Sequence, residues 1–233
     1  YKKPLLMKKY TTLILIILFF TINFAAGHVS HYKKIKFLKY GLFLNDKLIG
    51  KHIFNFKQEG NLFYVKTKGD FKVNKLGVVL MDYNTESEEV YKNDQLIKYN
   101  SKTSQNDKNK FAKIILSNQN KLYVDGSSYQ GETDTSTMIG SWWNHEIVKN
   151  SKQISPISGR IINQKVSFLG KKKISVNGVS YNSLHFHFLS DDNKPDKKKK
   201  LNMQVWYDSE SLLWLKASYN KLGTWEYRLL EVK

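Results

Sequence analysis

The chain has 233 residues, 41% of them hydrophobic and 14% aromatic, with 13 glycines, three prolines, no cysteine and a formal charge of +18. That is enough apolar chain for a core without staples, and the missing cysteines exclude a disulfide framework, thiolate metal sites, a cysteine nucleophile and a lipoprotein anchor. A pI near 9.7 invites a nucleic-acid reading, but only Arg160 and Arg228 are arginines; the forked donors that read guanine and clamp phosphate are nearly missing, so the scattered lysines read as a solvated basic surface and no nucleic-acid partner is expected.

Met7-Lys8-Lys9 precedes an apolar stretch from Thr11 to Ala26 that closes on Ala25-Ala26-Gly27. Positive start, apolar middle and small residues at the end are the layout of a cleaved secretory signal peptide. Residues 1–27 are therefore expected to be upstream residues and leader, and residues 28–233 one β-barrel-like domain. Cleavage removes four lysines and leaves +14 of the +18. An uncleaved anchor is the alternative, although the apolar run falls short of the roughly 20 residues that a spanning helix takes. Export without cysteine points to a bacterial periplasm.

From Lys33 onward, short runs rich in aromatic and β-branched residues alternate with turn residues, the pattern of an antiparallel meander. The runs expected as strands are 35–44, 48–56, 62–73, 77–91, 96–104, 111–116 and 122–124. Asn45-Asp46, Gly60-Asn61, Asn93-Asp94 and Asp125-Gly126 punctuate them with residues that tolerate left-handed backbone. After a break come 161–169, 173–176, 179–189, 201–207, 212–219 and 224–232, with Asn177-Gly178 as a strong hairpin dipeptide and a polar loop from Asp191 to Lys200. About a dozen strands exceed a comfortable flat sheet, so the expected fold is all-β, a meander curled into an open or closed barrel. The insertion at about 126–158 breaks the alternation, and within it Thr137–Val148 suits a short helix capped by Ser141 or Asn144. Irregular insertions of this length often serve as lids or binding loops.

Alternation places Leu38, Tyr40, Leu42 and Leu44 on one face of the first strand, and Val79, Met81 and Tyr83 on one face of the fourth. It also sets Leu184, Phe186 and Phe188 against His185 and His187. An aromatic sheet curled on itself either encloses an apolar cavity or fills solid. Trp142-Trp143 in the insertion and Trp206-Tyr207 at a strand end are large apolar surfaces with a polar handle, suited to a pocket mouth or to ordinary packing. With Tyr83 and Phe54 they are the candidate ligand-binding residues. His185 and His187, two apart on a strand, present both rings to one side, and only His52, His145 or Glu146 are appealing further ligands; a surface pair is the simpler reading, and no metal or other cofactor is expected. Glu86 and Glu88 share a solvent face, His145-Glu146 are adjacent, and no nucleophile elbow, phosphate loop, zinc helix motif or dinucleotide fingerprint is present, so an enzyme is not favoured.

Ile49–Phe56, Tyr83–Leu96, Ser141-Trp142-Trp143-Asn144 and Val205-Trp206-Tyr207-Asp208, in that order, resemble an uncharacterised family of secreted bacterial proteins known only as a domain of unknown function. The resemblance covers nearly all of the chain after residue 27 and implies a periplasmic all-β protein with no assigned activity. More distantly the layout is similar to LolA- and LolB-type periplasmic lipoprotein carriers, which hold acyl chains in an apolar concavity under a helical lid. The expected function is binding of a lipid or other apolar small molecule, with the Trp142–Ile147 stretch as plug or lid. The alternative is a solid-core structural protein of the cell envelope that meets a membrane surface or an envelope protein.

Overall fold

The computed structural model describes residues 28–191 and 201–233; the leader expected over 1–27 and residues 192–200 of the polar loop lie outside the described residues. A 3₁₀ turn at His28–Lys34 leads into β1 (Phe37–Leu44), β2 (Lys47–Glu59), β3 (Leu62–Lys75), β4 (Val78–Lys92), β5 (Gln95–Gln105), β6 (Lys108–Leu116), β7 (Lys121–Gly126) and β8 (Tyr129–Asp134). Then follow β9 (Met138–Ile139), a 3₁₀ turn at His145–Lys149, β10 (Lys152–Ile154), β11 (Ile161–Val176), β12 (Val179–Ser190), β13 (Asn202–Asp208), β14 (Trp214–Asn220) and β15 (Thr224–Val232). The turns explain the meander. Asn45-Asp46, Asn93-Asp94, Asn106-Asp107 and Asn177-Gly178 all hold positive φ at both positions, between 47° and 80°, which is the two-residue turn whose twist matches antiparallel strands.

All fifteen strands form one sheet in the order β8-β7-β6-β5-β4-β3-β2-β1-β15-β14-β13-β12-β11-β10-β9. The first and last strands therefore lie at the sheet's centre, where β1 pairs with β15, and the sheet builds outward on both sides. The two edges, β8 and β9, are joined by only Thr135, Ser136 and Thr137. Laid flat, fifteen strands would hold those edges about 67 Å apart at ~4.8 Å per strand, whereas a three-residue link spans about 14 Å. Connectivity alone thus curls the sheet into a barrel-like form. It does not close by a strand ladder. At the seam, Ser128 N–H donates to the Ser158 carbonyl at 2.9 Å, and Gly126 meets Ser158 and Gly159 so closely that a Cβ would lie 2.5 Å from the Ser158 oxygen.

Several expectations need adjusting. Residues 126–158 hold three further strands; β8 was hidden because its half-polar sequence, Tyr-Gln-Gly-Glu-Thr-Asp, alternates only between intermediate and exposed positions. β9 and β10 run parallel, so the antiparallel rule has one exception. The stretches 161–169 and 173–176 are one strand, β11, with a bulge between Phe168 and Gly170. The inward face carries the core: Leu38, Tyr40, Phe54, Phe56, Val65, Tyr99, Phe188, Val205, Tyr207 and Trp214 are buried together.

The curled sheet has two ends. One carries the β1–β2, β3–β4, β5–β6 and β14–β15 turns. The other carries the β2–β3 and β4–β5 turns and is capped by the first 3₁₀ turn, where Val29 N–H donates to Asp94 Oδ1 at 3.2 Å and Tyr32 stacks on Phe56 with ring centres 5.5 Å apart.

Candidate ligand cavity

The segment 140–160, apart from its sheet strand β10, lies on the concave side of the sheet. Asn144, rather than Ser141, caps its 3₁₀ turn by accepting the Glu146 N–H at 3.1 Å. Trp142 holds a left-handed φ of 57°, rare for so bulky a residue and costly by about 1–3 kcal/mol. The two tryptophans meet opposite walls. Trp143 is fully buried and meets Tyr32, Phe56 and Tyr91 edge-on at 5.1, 5.4 and 5.9 Å. Trp142 meets Phe188 of β12 at 4.8 Å, and its carbonyl accepts the Tyr207 hydroxyl at 2.9 Å.

A buried carboxylate ties the segment to β4. Glu89 Oε1 accepts the Trp143 indole N–H at 3.1 Å and Oε2 accepts the Tyr91 hydroxyl at 2.5 Å. Burial pushes the Glu89 carboxyl up to about 7, against hydrogen bonds from Tyr91, Trp143 and Ser141 that favour the charged form. Further along, the Pro156 carbonyl accepts the Tyr99 and Ser101 hydroxyls at 2.8 and 2.6 Å, and buried Gln153 and Gln164 pair at 2.7 Å.

Between this segment and the sheet remains a cavity of about 270 Å³, lined by Phe54, Tyr83, Tyr99, Trp142, Ile157, Met203, Tyr219 and Tyr227 with His52, Thr67, Thr85, Ser87 and other uncharged side chains; no carboxylate, lysine or arginine lines it among the described residues. On its wall, the His52 Nε2 and the Thr67 hydroxyl are buried with no hydrogen-bond partner among the described residues. They sit on neighbouring strands, with Phe54 opposite Thr67 and His52 opposite Gly69. Burial holds His52 neutral by pulling its pKa down to about 4. Each unpartnered buried group costs about 1–3 kcal/mol. A larger hollow of about 510 Å³ lies on the outer surface among Lys66, Lys68, Glu86, Glu88 and Lys102. It is an open, charged groove, and Glu86 there is occupied by Lys68 at 2.8 Å.

Of the six candidate residues, Phe54, Tyr83 and Trp142 line the cavity. Trp143 fills the core below it, and Tyr207 stands behind Trp142. Trp206 is on the opposite face, because successive strand residues alternate; it stacks on His185 at 4.3 Å with the Lys216 ammonium 5.4 Å from its ring. His185 and His187 bond Gln204 and Asn202 at 2.9 and 2.8 Å, and no cluster of three or more metal-type ligands occurs among the described residues. His145 and Glu146 contact each other at 3.1 Å outside the cavity lining. His52 as a pocket group and Glu89 as a core group were missed. The signal was a polar residue on the apolar side of an alternating strand: His52 in phase with Phe54 and Phe56, and Glu89 in phase with Tyr91.

A family model for a domain of unknown function, DUF6134, matches residues 40–230. The chain belongs to the DUF6134 family. No curated protein matches it. Among solved structures, this DUF6134 chain resembles a β-barrel-like DUF1849 protein from Brucella abortus, with a TM-score of 0.61 at 9% identity over 85% of this chain and 97% of that one. A Bacteroides fragilis protein with a YmcC-like fold aligns over 84% of this chain and 94% of its own at 9% identity, with a TM-score of 0.35. At these identities the Brucella likeness shows a shared barrel-like fold.

Proposed function

We propose that this DUF6134 chain is an exported protein that binds one small, uncharged amphiphile in the cavity beside Trp142. The observation that carries the reading is the pair of unpartnered polar atoms, His52 Nε2 and the Thr67 hydroxyl, on an otherwise aromatic and uncharged wall. The two atoms lie just beneath the cavity surface, so a ligand whose ester, hydroxyl, amide or protonated carboxyl draws these side chains toward it would supply the missing hydrogen bonds, while burial of its apolar part contributes about 0.8 kcal/mol per methylene. At ~30 Å³ per water in the liquid, 270 Å³ equals about nine waters. One short acyl chain or a single-ring molecule fits; a diacyl lipid does not fit whole. A segment laid across a concave apolar sheet also supports the likeness to LolA- and LolB-type carriers, and the leader-like start at Met7 supports a periplasmic location.

Native mass spectrometry with organic extraction, on protein exported from a bacterial host, tests this. The expected result is a co-purifying neutral amphiphile near one per chain, lost in Thr67→Val and His52→Leu. Both variants should be more stable than wild type without ligand, Thr67→Val by about 1 kcal/mol, because an unsatisfied polar group is removed. A clean unliganded mass, with no apolar probe bound at high concentration, refutes the reading and favours the solid-core envelope protein. The full packing of Trp143 and Tyr207 speaks for that second reading.

A further inference from the structure

The β3–β4 hairpin outruns its neighbours. β2 last pairs with β3 at Gly50–Phe71, and β5 last pairs with β4 at Gln105–Tyr83. Beyond those pairs the hairpin runs on for about 13 Å, four residues at ~3.3 Å each, with no strand beside it. Asn106 braces its base, through Asp82 N–H at 2.8 Å and the Leu80 carbonyl at 3.3 Å. Its turn and β4 arm are apolar: Leu76 is 95% exposed and Val78 60%, and Val79 and Leu80 are also exposed. At the same end the β14–β15 turn carries Leu222, 99% exposed. That turn is held against the β1–β2 turn by Thr224 N–H donating to Asn45 Oδ1 at 2.9 Å.

We propose that this end of the curled sheet docks on an anionic lipid bilayer, with Leu76, Val78–Leu80 and Leu222 entering the headgroup–acyl boundary. Two separate apolar points on different turns suit a soft interface better than the continuous patch that a folded partner would cover. The charge around them fits the same surface. Exposed Lys47, Lys108 and Lys221 stand at this end, while Asp46 and Asp82 are already taken by Arg228 and Lys72; Asp107 and, just past β12, Asp191 are the acidic residues left to set against them among the described residues. Lysines near an anionic leaflet are attracted within a Debye length of it. The cavity residues Tyr83, Tyr219 and Met203 lie toward this end too, so docking would bring the cavity to the lipid. The docking does not depend on the cavity being occupied.

Co-sedimentation with phosphatidylcholine vesicles, with and without phosphatidylglycerol, tests the proposal on exported protein whose N-terminus has been read by mass spectrometry. Wild type should bind the mixed vesicles, release with salt, and bind pure phosphatidylcholine far less. Leu76→Asp and Leu222→Asp should each weaken binding about tenfold or more, the loss expected for one large apolar side chain. Ile115→Asp, at a residue 55% exposed on β6, should not. All three sites are exposed, and unchanged far-UV spectra and melting would show the fold intact. Equal binding of the tip variants and wild type overturns the proposal, as does equal binding to both vesicle types. It is also overturned if sedimentation velocity shows a wild-type dimer that Leu76→Asp dissociates, because the tip would then be covered by a second copy.

Discussion

Single side chains inside this sheet set opposing pH dependences. Glu89, raised to about 7 by burial, holds a proton in the folded chain that the unfolded chain releases. Its contribution is complete below pH ~4.5 and is lost as pH rises through about 7. His52, lowered to about 4, works the other way: its contribution is complete above pH ~6.5 and is lost as pH falls through about 4. The two slopes offset one another in wild type. Glu89→Gln should therefore leave a chain that weakens with acid, and His52→Leu one that weakens with base; urea midpoints across pH ~4 to ~8 read both, and parallel profiles for the two variants would refute the assignment. Trp142 offers a backbone test. Alanine and glycine both delete its ring, but only glycine is at ease at a φ of 57°, so Trp142→Gly should be about 1 kcal/mol more stable than Trp142→Ala, reversing their usual order. Trp143→Ala empties a fully buried site and should cost about 3–5 kcal/mol in denaturant unfolding.

Among the elements, the strands were legible and their bending was not. The long runs from β1 to β7 and from β12 to β15 alternate strongly and several are bounded by Asn-Asp or Asn-Gly turns, so most of their limits emerge within a residue or two; the end of β2 and the start of β6 each run three residues beyond the expected limit. β8, β9 and β10 were hidden because they are short or half polar, and the β11 bulge because Gly170 and its lysines imitate a turn. Gly50 shows what alternation omits. It faces Phe71 where the sheet bends so sharply that a Cβ would lie 2.1 Å from the Asp70 carbonyl oxygen and 2.5 Å from the Phe71 Cα. Both obstructing atoms are backbone, so Gly50→Ala must open the β2–β3 pairing there. Overpacking of this kind costs about 1–3 kcal/mol. It should also disturb the Phe71–Trp225 contact, now 5.9 Å, which near-UV circular dichroism can follow; an unchanged aromatic signal would speak against a tight bend.

Over the whole molecule, the order of pairing makes the chain's last strand central. β15 lies between β1 and β14, and its Trp225 and Leu229 are buried. Deleting residues 224–233 would open two ladders at once and separate the halves of the sheet, so that variant should be unfolded by circular dichroism. Removing the edge strand β8 would break one ladder only. Pairing β1 with β15 across nearly the entire chain also requires a long loop closure before any reward, and refolding should be slow, in the millisecond-to-second range of β-rich domains. A native-like spectrum for the β15 deletion would contradict this account.

By itself the sequence determined an all-β meander, most strand limits, the inward and outward faces, and an unusual insertion with paired tryptophans. These are local properties, written in period-two alternation and in turn residues that accept positive φ. It also placed Phe54, Tyr83 and Trp142 among the pocket candidates, each now on the cavity wall. Only the tertiary structure decided that Trp143 and Tyr207 are packed, that Trp206 faces outward, and that His52, Thr67 and Glu89 are the buried polar groups. Those outcomes depend on which strands meet across the concave side. That in turn follows from three residues joining the two edges of a fifteen-stranded sheet, a constraint that appears only once the strand order is known.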